Sequence, residues 1–294
     1  MSRRFVMTST IVLLISSAVA FHAAGKPVTS MTSGPKGTIE FQTLTLSAEE
    51  FWAGAKTPRA VTISGELLLP KGDGRVPAVI MSHGGSGISG IEETWARELR
   101  SMDIAAFVVD SFSGRGIKKQ PADVELSPVG QVYDVYQALA LLATHPRIDR
   151  DRIALMGPSR GGGVTLFAAM TRSLQAQRPE GVDFCGYLTI YPGLYRTIEG
   201  PFASRPIRIF TGTADEIIRI SMVREFAEKY RAAGADIRVV EYDGAHHAFD
   251  NPEIRQPFVM KTPTASFTLL YNPQAHAKLK RDMKETLSEV FGKQ

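Results

Sequence analysis

Short apolar runs alternate with helical patterns along most of this chain, and this alternation restricts the possible folds more than any other feature. Strands that alternate with helices build a mostly parallel sheet with helices on both faces. The sequence therefore predicts an α/β fold of this kind. The apolar runs interpreted as strands are residues 61–69, 77–82, 104–110, 153–157, 187–191, 207–211 and 237–242. Residues 38–46 and 61–69 show no intervening helical pattern, so they are expected to form an antiparallel edge.

The composition fits one globular unit. The chain has 294 residues, of which 44% are hydrophobic and 22% charged, which is enough for one large core. Because no repeat or second composition regime appears, residues 37–294 are predicted to form one domain. Residues 21–36 are rich in Gly, Pro, Ser and Thr and are expected to be a flexible lead-in.

The first twenty residues have the pattern of a secretory signal. Arg3 and Arg4 precede an uncharged apolar run that ends in Ala-Val-Ala at residues 18–20. The run is short for a membrane span and contains several Ser and Thr residues, so residues 1–20 are predicted to be a cleaved signal peptide. We therefore expect a periplasmic or secreted protein without a stable membrane anchor.

Cys185 is the only cysteine, which excludes an intrachain disulfide.

The charge balance argues against a nucleic-acid partner. Removal of the signal lowers the net charge from +4 to +2, because that segment holds two arginines and no acid. The remaining basic residues are interspersed with acidic ones, whereas nucleic-acid binding requires a basic face. No cofactor motif is found.

A candidate nucleophile, Ser159, lies between a predicted strand and a predicted helix, in the sequence Gly-Pro-Ser-Arg-Gly at residues 157–161. A sharp strand-to-helix turn exposes a serine hydroxyl to a base. The pattern alone is weak, and a tightly packed glycine loop is the alternative. Gly162 and Gly163 continue the run into the helix, where each costs about 1 kcal/mol relative to alanine. Such a run indicates close approach of backbone to a neighbour.

Three further loops, each directly after a predicted strand, contain the residues that a serine nucleophile requires. His-Gly-Gly at residues 83–85 is typical of an oxyanion loop, and the amides of Gly85 and Arg160 are the predicted donors. His83 is expected to be a structural hydrogen-bonding residue. Asp215 is the predicted acid, with Glu216 as its rival and a helix cap as the alternative role.

The base is one of the adjacent residues His246 and His247. The order Ser159, Asp215, His247 is that of the triad in the α/β-hydrolase fold. Metal binding is the competing interpretation of the histidine pair. It is disfavoured because neighbouring loop residues seldom chelate one ion together and no further His or Cys cluster completes a metal site.

These motifs resemble those of the dienelactone hydrolase family. The similar segments are residues 83–85, 110–116, 157–162, 213–215 and 244–249. The resemblance implies that the histidine two positions before the phenylalanine, His247, is the base. It also implies a hydrolase that cleaves small esters or lactones through an acyl-enzyme. The namesake enzymes use a cysteine nucleophile, so Ser159 makes the chain more similar to the family's serine esterases.

Several expectations concern the substrate. Arg115, Lys118, Lys119 and Arg160 lie in or near strand-end loops, which motivates the hypothesis of an acidic substrate with Arg115 as a binding residue. Solvated surface charge is the alternative interpretation of these four residues. The proline-containing residues 251–273 are expected to form a wall of the pocket. A peptidase, an acyltransferase and a non-catalytic binding protein of the same fold remain alternatives.

Overall fold

A computed structural model describes residues 27–53, 59–118, 126–195, 197–261 and 265–292. The predicted signal peptide, residues 1–20, and Lys119 lie outside the described residues. The strands are β1 (Gly37–Thr45), β2 (Arg59–Leu68), β3 (Val76–Ser82), β4 (Ala105–Asp110), β5 (Ile148–Pro158), β6 (Tyr187–Ile190), β7 (Ile207–Gly212), β8 (Ile237–Tyr242), β9 (Phe258–Lys261) and β10 (Ser266–Leu269). The helices are α1 (Ala48–Ala53), α2 (Gly90–Ser101), α3 (Pro128–Leu142), α4 (Arg160–Ala168), α5 (Thr171–Gln177), α6 (Ile220–Ala232) and α7 (Pro273–Val290).

The first eight strands form one sheet in the order β1-β2-β4-β3-β5-β6-β7-β8. Strands β3 to β8 are mutually parallel, whereas β1 and β2 are antiparallel to their neighbours. The predicted α/β fold with an antiparallel edge is therefore confirmed. The prediction that no helix separates the two leading strands is wrong, since α1 lies between them. This helix has only six residues, too few to produce a helical period in the sequence.

Helices cover both faces of the sheet. On β3, Ala78 and Ile80 belong to one hydrophobic cluster, which also contains apolar residues of α3, α4 and α6. The alternate residues Val79 and Met81 belong to a second cluster, with apolar residues of α2 and α7. Since successive side chains of a strand point to opposite faces, burial on both faces explains the continuous apolar runs of the central strands.

Strands β9 and β10 form a separate antiparallel hairpin inside the proline-containing segment. The backbone of Leu269 in β10 pairs in parallel with that of His247, and the amide of Thr268 donates to Glu216 Oε2 at 2.6 Å. The hairpin is thus attached beside the loops that contain the predicted acid and base.

Two further features bear on the sequence predictions. Cys185 packs against the second cluster, and burial raises the pKa of its thiol to about 12, so it stays a protonated, unreactive side chain. No helix in the described ranges has the length and apolar character needed to cross a membrane.

Candidate active site

Ser159 occupies a strained turn between β5 and α4. Its backbone has φ 50° and ψ −115°, a conformation that side-chain-bearing residues rarely adopt. Such strain costs of order 1–3 kcal/mol and persists only where the surroundings enforce it. Here the Ser159 amide donates to the Ile190 carbonyl at 2.9 Å, and the Gly193 amide donates to the Ser159 carbonyl at 2.8 Å. The end of β6 therefore holds the turn in place.

The glycines around this turn allow backbone segments to touch. A Cβ on Gly161 would lie 2.0 Å from the Ser82 carbonyl oxygen, and one on Gly157 would lie 2.4 Å from backbone atoms of Gly161. Real Cβ atoms do not approach backbone so closely, so neither position tolerates a side chain. The contact also brings the loop after β3 against the serine turn. This is the close approach that the glycine run predicted.

His247 connects the serine to a carboxylate. Its Nε2 lies 3.0 Å from Ser159 Oγ, and its Nδ1 lies 2.7 Å from Asp215 Oδ2. Because the carboxylate can only accept, Nδ1 carries the proton and donates to Asp215, which leaves Nε2 to accept from the hydroxyl. Only 7% of His247 is exposed. The three residues lie in loops that follow β5, β7 and β8, and the sheet brings them together.

Both oxygens of Asp215 are used. Oδ2 accepts from His247, while Oδ1 accepts from the amides of Ile217 and Ile218 at 2.8 Å each. Three donors fix the carboxylate in a buried position. Its rival, Glu216, accepts from the backbone of β10 instead. The loop can therefore present only Asp215 to the histidine.

His246 is not part of this arrangement. Its Nδ1 is buried and has no hydrogen-bond partner within the part of the chain that the structure describes. Of the two adjacent histidines, His247 alone contacts the serine and the aspartate.

The loop after β3 lies against the serine turn and is held by a buried glutamate that the sequence analysis did not identify. Glu92 accepts from the Gly84 amide at 3.1 Å and from the Ser89 amide at 2.8 Å. The Gly85 amide makes no hydrogen bond to any described residue. Because Glu92 accepts from the Gly84 amide, it fixes the peptide unit directly before the one that contains the Gly85 amide. The Ser-x-x-Glu spacing at residues 89–92 is a capping-box signal that could have revealed Glu92.

His83 has the structural role that was predicted for it. Its Nε2 accepts from the Ser111 amide at 3.2 Å, so Nδ1 carries the proton and donates to the Gly84 carbonyl at 2.8 Å. Burial lowers the pKa of His83, which keeps the ring neutral. The side chain links the loops that follow β3 and β4.

Arg115 does not reach the predicted site, and its assignment as a substrate-binding residue is wrong. All of its guanidinium nitrogens donate within the protein, and its side chain is only 4% exposed. Two bonds of 2.8 Å go to Asp134, whose side chain is fully buried. The remaining partners are Thr45 Oγ1 and the carbonyls of Leu44 and Ser111. No donor is left to bind a substrate carboxylate.

Arg160 begins α4 directly after Ser159, and its side chain is also turned into the protein. Its Nε donates to Gln131 Oε1 at 3.0 Å, and its Nη2 donates to the Leu126 carbonyl. Lys118, by contrast, is exposed and lines a cavity of about 520 Å³ beside the loop after β3. The apolar part of this cavity is formed by Ile88, Phe112 and Ile117.

The chain is similar to known hydrolases. A model of the dienelactone hydrolase family matches residues 63–291. A Bradyrhizobium sp protein described as a probable 2-oxo-3-(5-oxofuran-2-ylidene)propanoate lactonase is 27% identical over 195 residues, which are 62% of this chain and 77% of that protein.

Two solved structures share the fold. A dienelactone hydrolase-like promiscuous phosphotriesterase from metagenomic libraries aligns with a TM-score of 0.65 at 18% identity, covering 87% of this chain and 100% of that one. A thermophilic esterase from Thermogutta terrifontis aligns with a TM-score of 0.57 at 18% identity, covering 78% and 89%. With the family match extending over most of the sequence, the chain belongs to the dienelactone hydrolase family and is an ester-bond hydrolase with the α/β-hydrolase fold.

Proposed function

We propose that this protein hydrolyses carboxylic esters or lactones through an acyl-enzyme formed on Ser159. One observation carries the proposal. An unbroken hydrogen-bonded path runs from Ser159 Oγ through the ring of His247 to Asp215, with heavy-atom distances of 3.0 and 2.7 Å. These distances are within the range in which a base takes the proton of a nucleophile.

In the proposed reaction, Ser159 Oγ attacks the acyl carbon while His247 Nε2 takes the hydroxyl proton. Asp215 keeps the other ring nitrogen protonated and stabilises the imidazolium. The amides of Gly85 and Arg160 donate to the oxyanion. The bond between the acyl carbon and the alcohol oxygen then breaks, and His247 gives its proton to the leaving alkoxide. In the second half, water gives a proton to His247 and attacks the acyl carbon; the bond to Ser159 Oγ breaks, the serine regains its proton from His247, and the acid is released. With a lactone, the alcohol and the acid leave as one molecule.

The proposed substrate is a small molecule. The cavity beside the loop after β3 has the volume of a small-ligand site and is lined by both apolar and polar residues, with Lys118 among them. Ser159, Asp215 and His247 do not line it, but the loop after β3 lies between it and the serine turn. Because the guanidinium groups of Arg115 and Arg160 are turned inward, the proposed site does not depend on an acidic substrate. The lactonase relative supports lactones as one substrate class.

Covalent trapping tests the proposal. A fluorophosphonate reacts with an activated serine and adds one phosphonyl group, which is detected by intact-protein mass spectrometry. Peptide mapping is expected to place the adduct on Ser159. The exposed Ser101, at the end of α2, serves as a matched control: a Ser101→Ala variant is expected to label fully. An adduct elsewhere, or none, would contradict the assignment.

We also propose that the protein is exported to the periplasm or secreted. The support is the sequence pattern of residues 1–20. Expression of the full chain in a bacterial host, followed by fractionation, is expected to yield a mature form shortened at its N-terminus outside the cytoplasm. A full-length cytoplasmic product would refute export.

A further inference from the structure

A second buried carboxylate lies close to His247. Asp250 is 1% exposed and follows the histidine by three residues. Its Oδ1 accepts from the Tyr191 hydroxyl at 2.5 Å, and its Oδ2 accepts from Trp95 Nε1 at 2.8 Å. An indole N–H can only donate, so Oδ2 is an acceptor. The proposed mechanism assigns no role to these three side chains.

Tyr191 links this carboxylate to the histidine. Its ring centroid lies 4.6 Å from that of His247, with the two planes tilted by 55°. Burial and the neighbouring Asp250 raise the pKa of Tyr191 well above its usual value. The phenol therefore remains protonated and donates its hydrogen bond to Asp250.

Backbone strain on both sides of the contact indicates that it is enforced. Tyr191 has φ 38° and Ala248, next to His247, has φ 58°. Left-handed conformations are unfavourable for both residue types and concentrate at functional sites. The Tyr191 amide is held by the Phe210 carbonyl at 2.7 Å, and the Ala248 carbonyl accepts from the Asn251 amide at 3.0 Å. The turns thus hold the tyrosine and histidine rings together.

The chemistry of the two rings suggests what this contact does. During attack, the imidazole becomes a cation, and a cation within about 6 Å of an aromatic ring is attracted to it, most strongly when water is excluded. A phenol that donates to a carboxylate has a more electron-rich ring, and the negative charge of Asp250 favours a nearby cation. Both effects favour the charged form of His247 over the neutral form.

We infer that Tyr191 and Asp250 are positioning residues that stabilise the imidazolium of His247, in addition to Asp215. The inference rests on the proposed function, since it requires His247 to be the base. Neither residue is assigned a contact with substrate.

The groups around this network lie on several elements. His247 faces Asp215 and Ser159, while Glu92 and Asp215 act on Tyr191. Asp250 also acts on Tyr242, at the end of β8, and on His276 of α7. Burial lowers the pKa of His276, which keeps this neighbour neutral. Lys280, which also acts on His276, is paired with Glu98.

Substitution of Tyr191 tests the role of the ring. Tyr191→Leu is expected to lower kcat about 30-fold and leave KM nearly unchanged, as loss of a desolvated cation–π contact predicts. Tyr191→Phe keeps the ring and is expected to lose roughly threefold. Tyr187→Leu is a control for core damage, because Tyr187 is equally buried and lies in β6, which ends directly before Tyr191. Rates with p-nitrophenyl acetate are normalised to active sites by burst titration, so unfolded protein does not count.

Substitution of Asp250 tests the role of the charge. Asp250→Asn keeps the shape and removes the charge. Its amide oxygen can still accept from Trp95 Nε1, while its –NH2 group faces the Tyr191 hydroxyl, whose oxygen can accept. Since loss of the anion disfavours the imidazolium, the acid limb of the kcat/KM profile is expected to move to lower pH by roughly half a unit. Structural damage alone would lower activity at every pH without moving the limb. This variant also tests the inference if Tyr191→Leu does not fold.

Two results would overturn the inference. One is equal kcat per titrated site for Tyr191→Leu and Tyr187→Leu, and the other is an unmoved acid limb in Asp250→Asn. Ser159→Ala, assayed alongside, separates this failure from failure of the proposed function. If Ser159→Ala is inactive while Tyr191→Leu matches Tyr187→Leu and Asp250→Asn has the acid limb of the unmodified protein, only the inference fails. If Ser159→Ala keeps its activity, the proposed function fails and the inference with it.

Discussion

Replacement of Ser159 by alanine is expected to lower kcat for p-nitrophenyl acetate about 10⁶-fold, which corresponds to about 8 kcal/mol of transition-state stabilisation. In the proposed reaction, this hydroxyl forms the acyl-enzyme, and among the described residues it is the serine hydroxyl that lies 3.0 Å from His247 Nε2. The oxyanion donors and substrate binding remain, so a small rate above that in water is expected to persist. Stopped assays at high enzyme concentration measure both values.

The control for this variant is Ser101→Ala, which removes an exposed serine hydroxyl far along α2. It is expected to keep the kcat of the unmodified protein. Retention of more than a few per cent of the activity by Ser159→Ala would show that the reaction does not pass through this hydroxyl. Circular dichroism of both variants verifies that the fold is intact.

The adjacent histidines provide the second large effect. His247→Ala is expected to lower kcat nearly as much as Ser159→Ala, because the proposed nucleophile and base would act as one unit. For the same reason, the double variant is expected to be no slower than either single one. His246→Ala, the matched control, is expected to stay within about threefold of the unmodified protein, since only His247 bonds to Ser159 and Asp215.

These histidine measurements have a clear contrary outcome. A large loss in His246→Ala together with a small loss in His247→Ala would assign the base to the other residue. Losses that multiply in the Ser159 and His247 double variant would show that the two residues act in separate steps.

Much of the fold follows from the apolar runs. Strands such as β3 are buried on both faces, so their sequences are continuously hydrophobic and stand out from the amphipathic helices. The positions of Ser159, Asp215 and His247 were predictable for a related reason. Parallel strands bring their carboxyl ends to one edge, so polar residues that directly follow strands meet there.

The environment of Arg115 could not be predicted in this way. Its partner Asp134 lies 19 residues away on α3, and no local pattern reveals that a charged residue in a loop pairs with one inside a helix. The β9–β10 hairpin escaped prediction because each strand has only four residues and none of them is fully buried, so no apolar run marks either strand. The Tyr191 and Asp250 contact likewise joins positions 59 residues apart.

The attachment of β10 sets a limit on how this enzyme can be re-engineered or diversified. Grafting a different hairpin from a relative would replace the backbone partner of His247 and the amide that holds Glu216. Such a graft is expected to change the position of His247 as well as the shape of the hairpin. A loss of activity in a screen for new substrates would then not show by itself that the substrate fits poorly. A library that varies β9 and leaves residues 266–269 intact keeps both of these contacts.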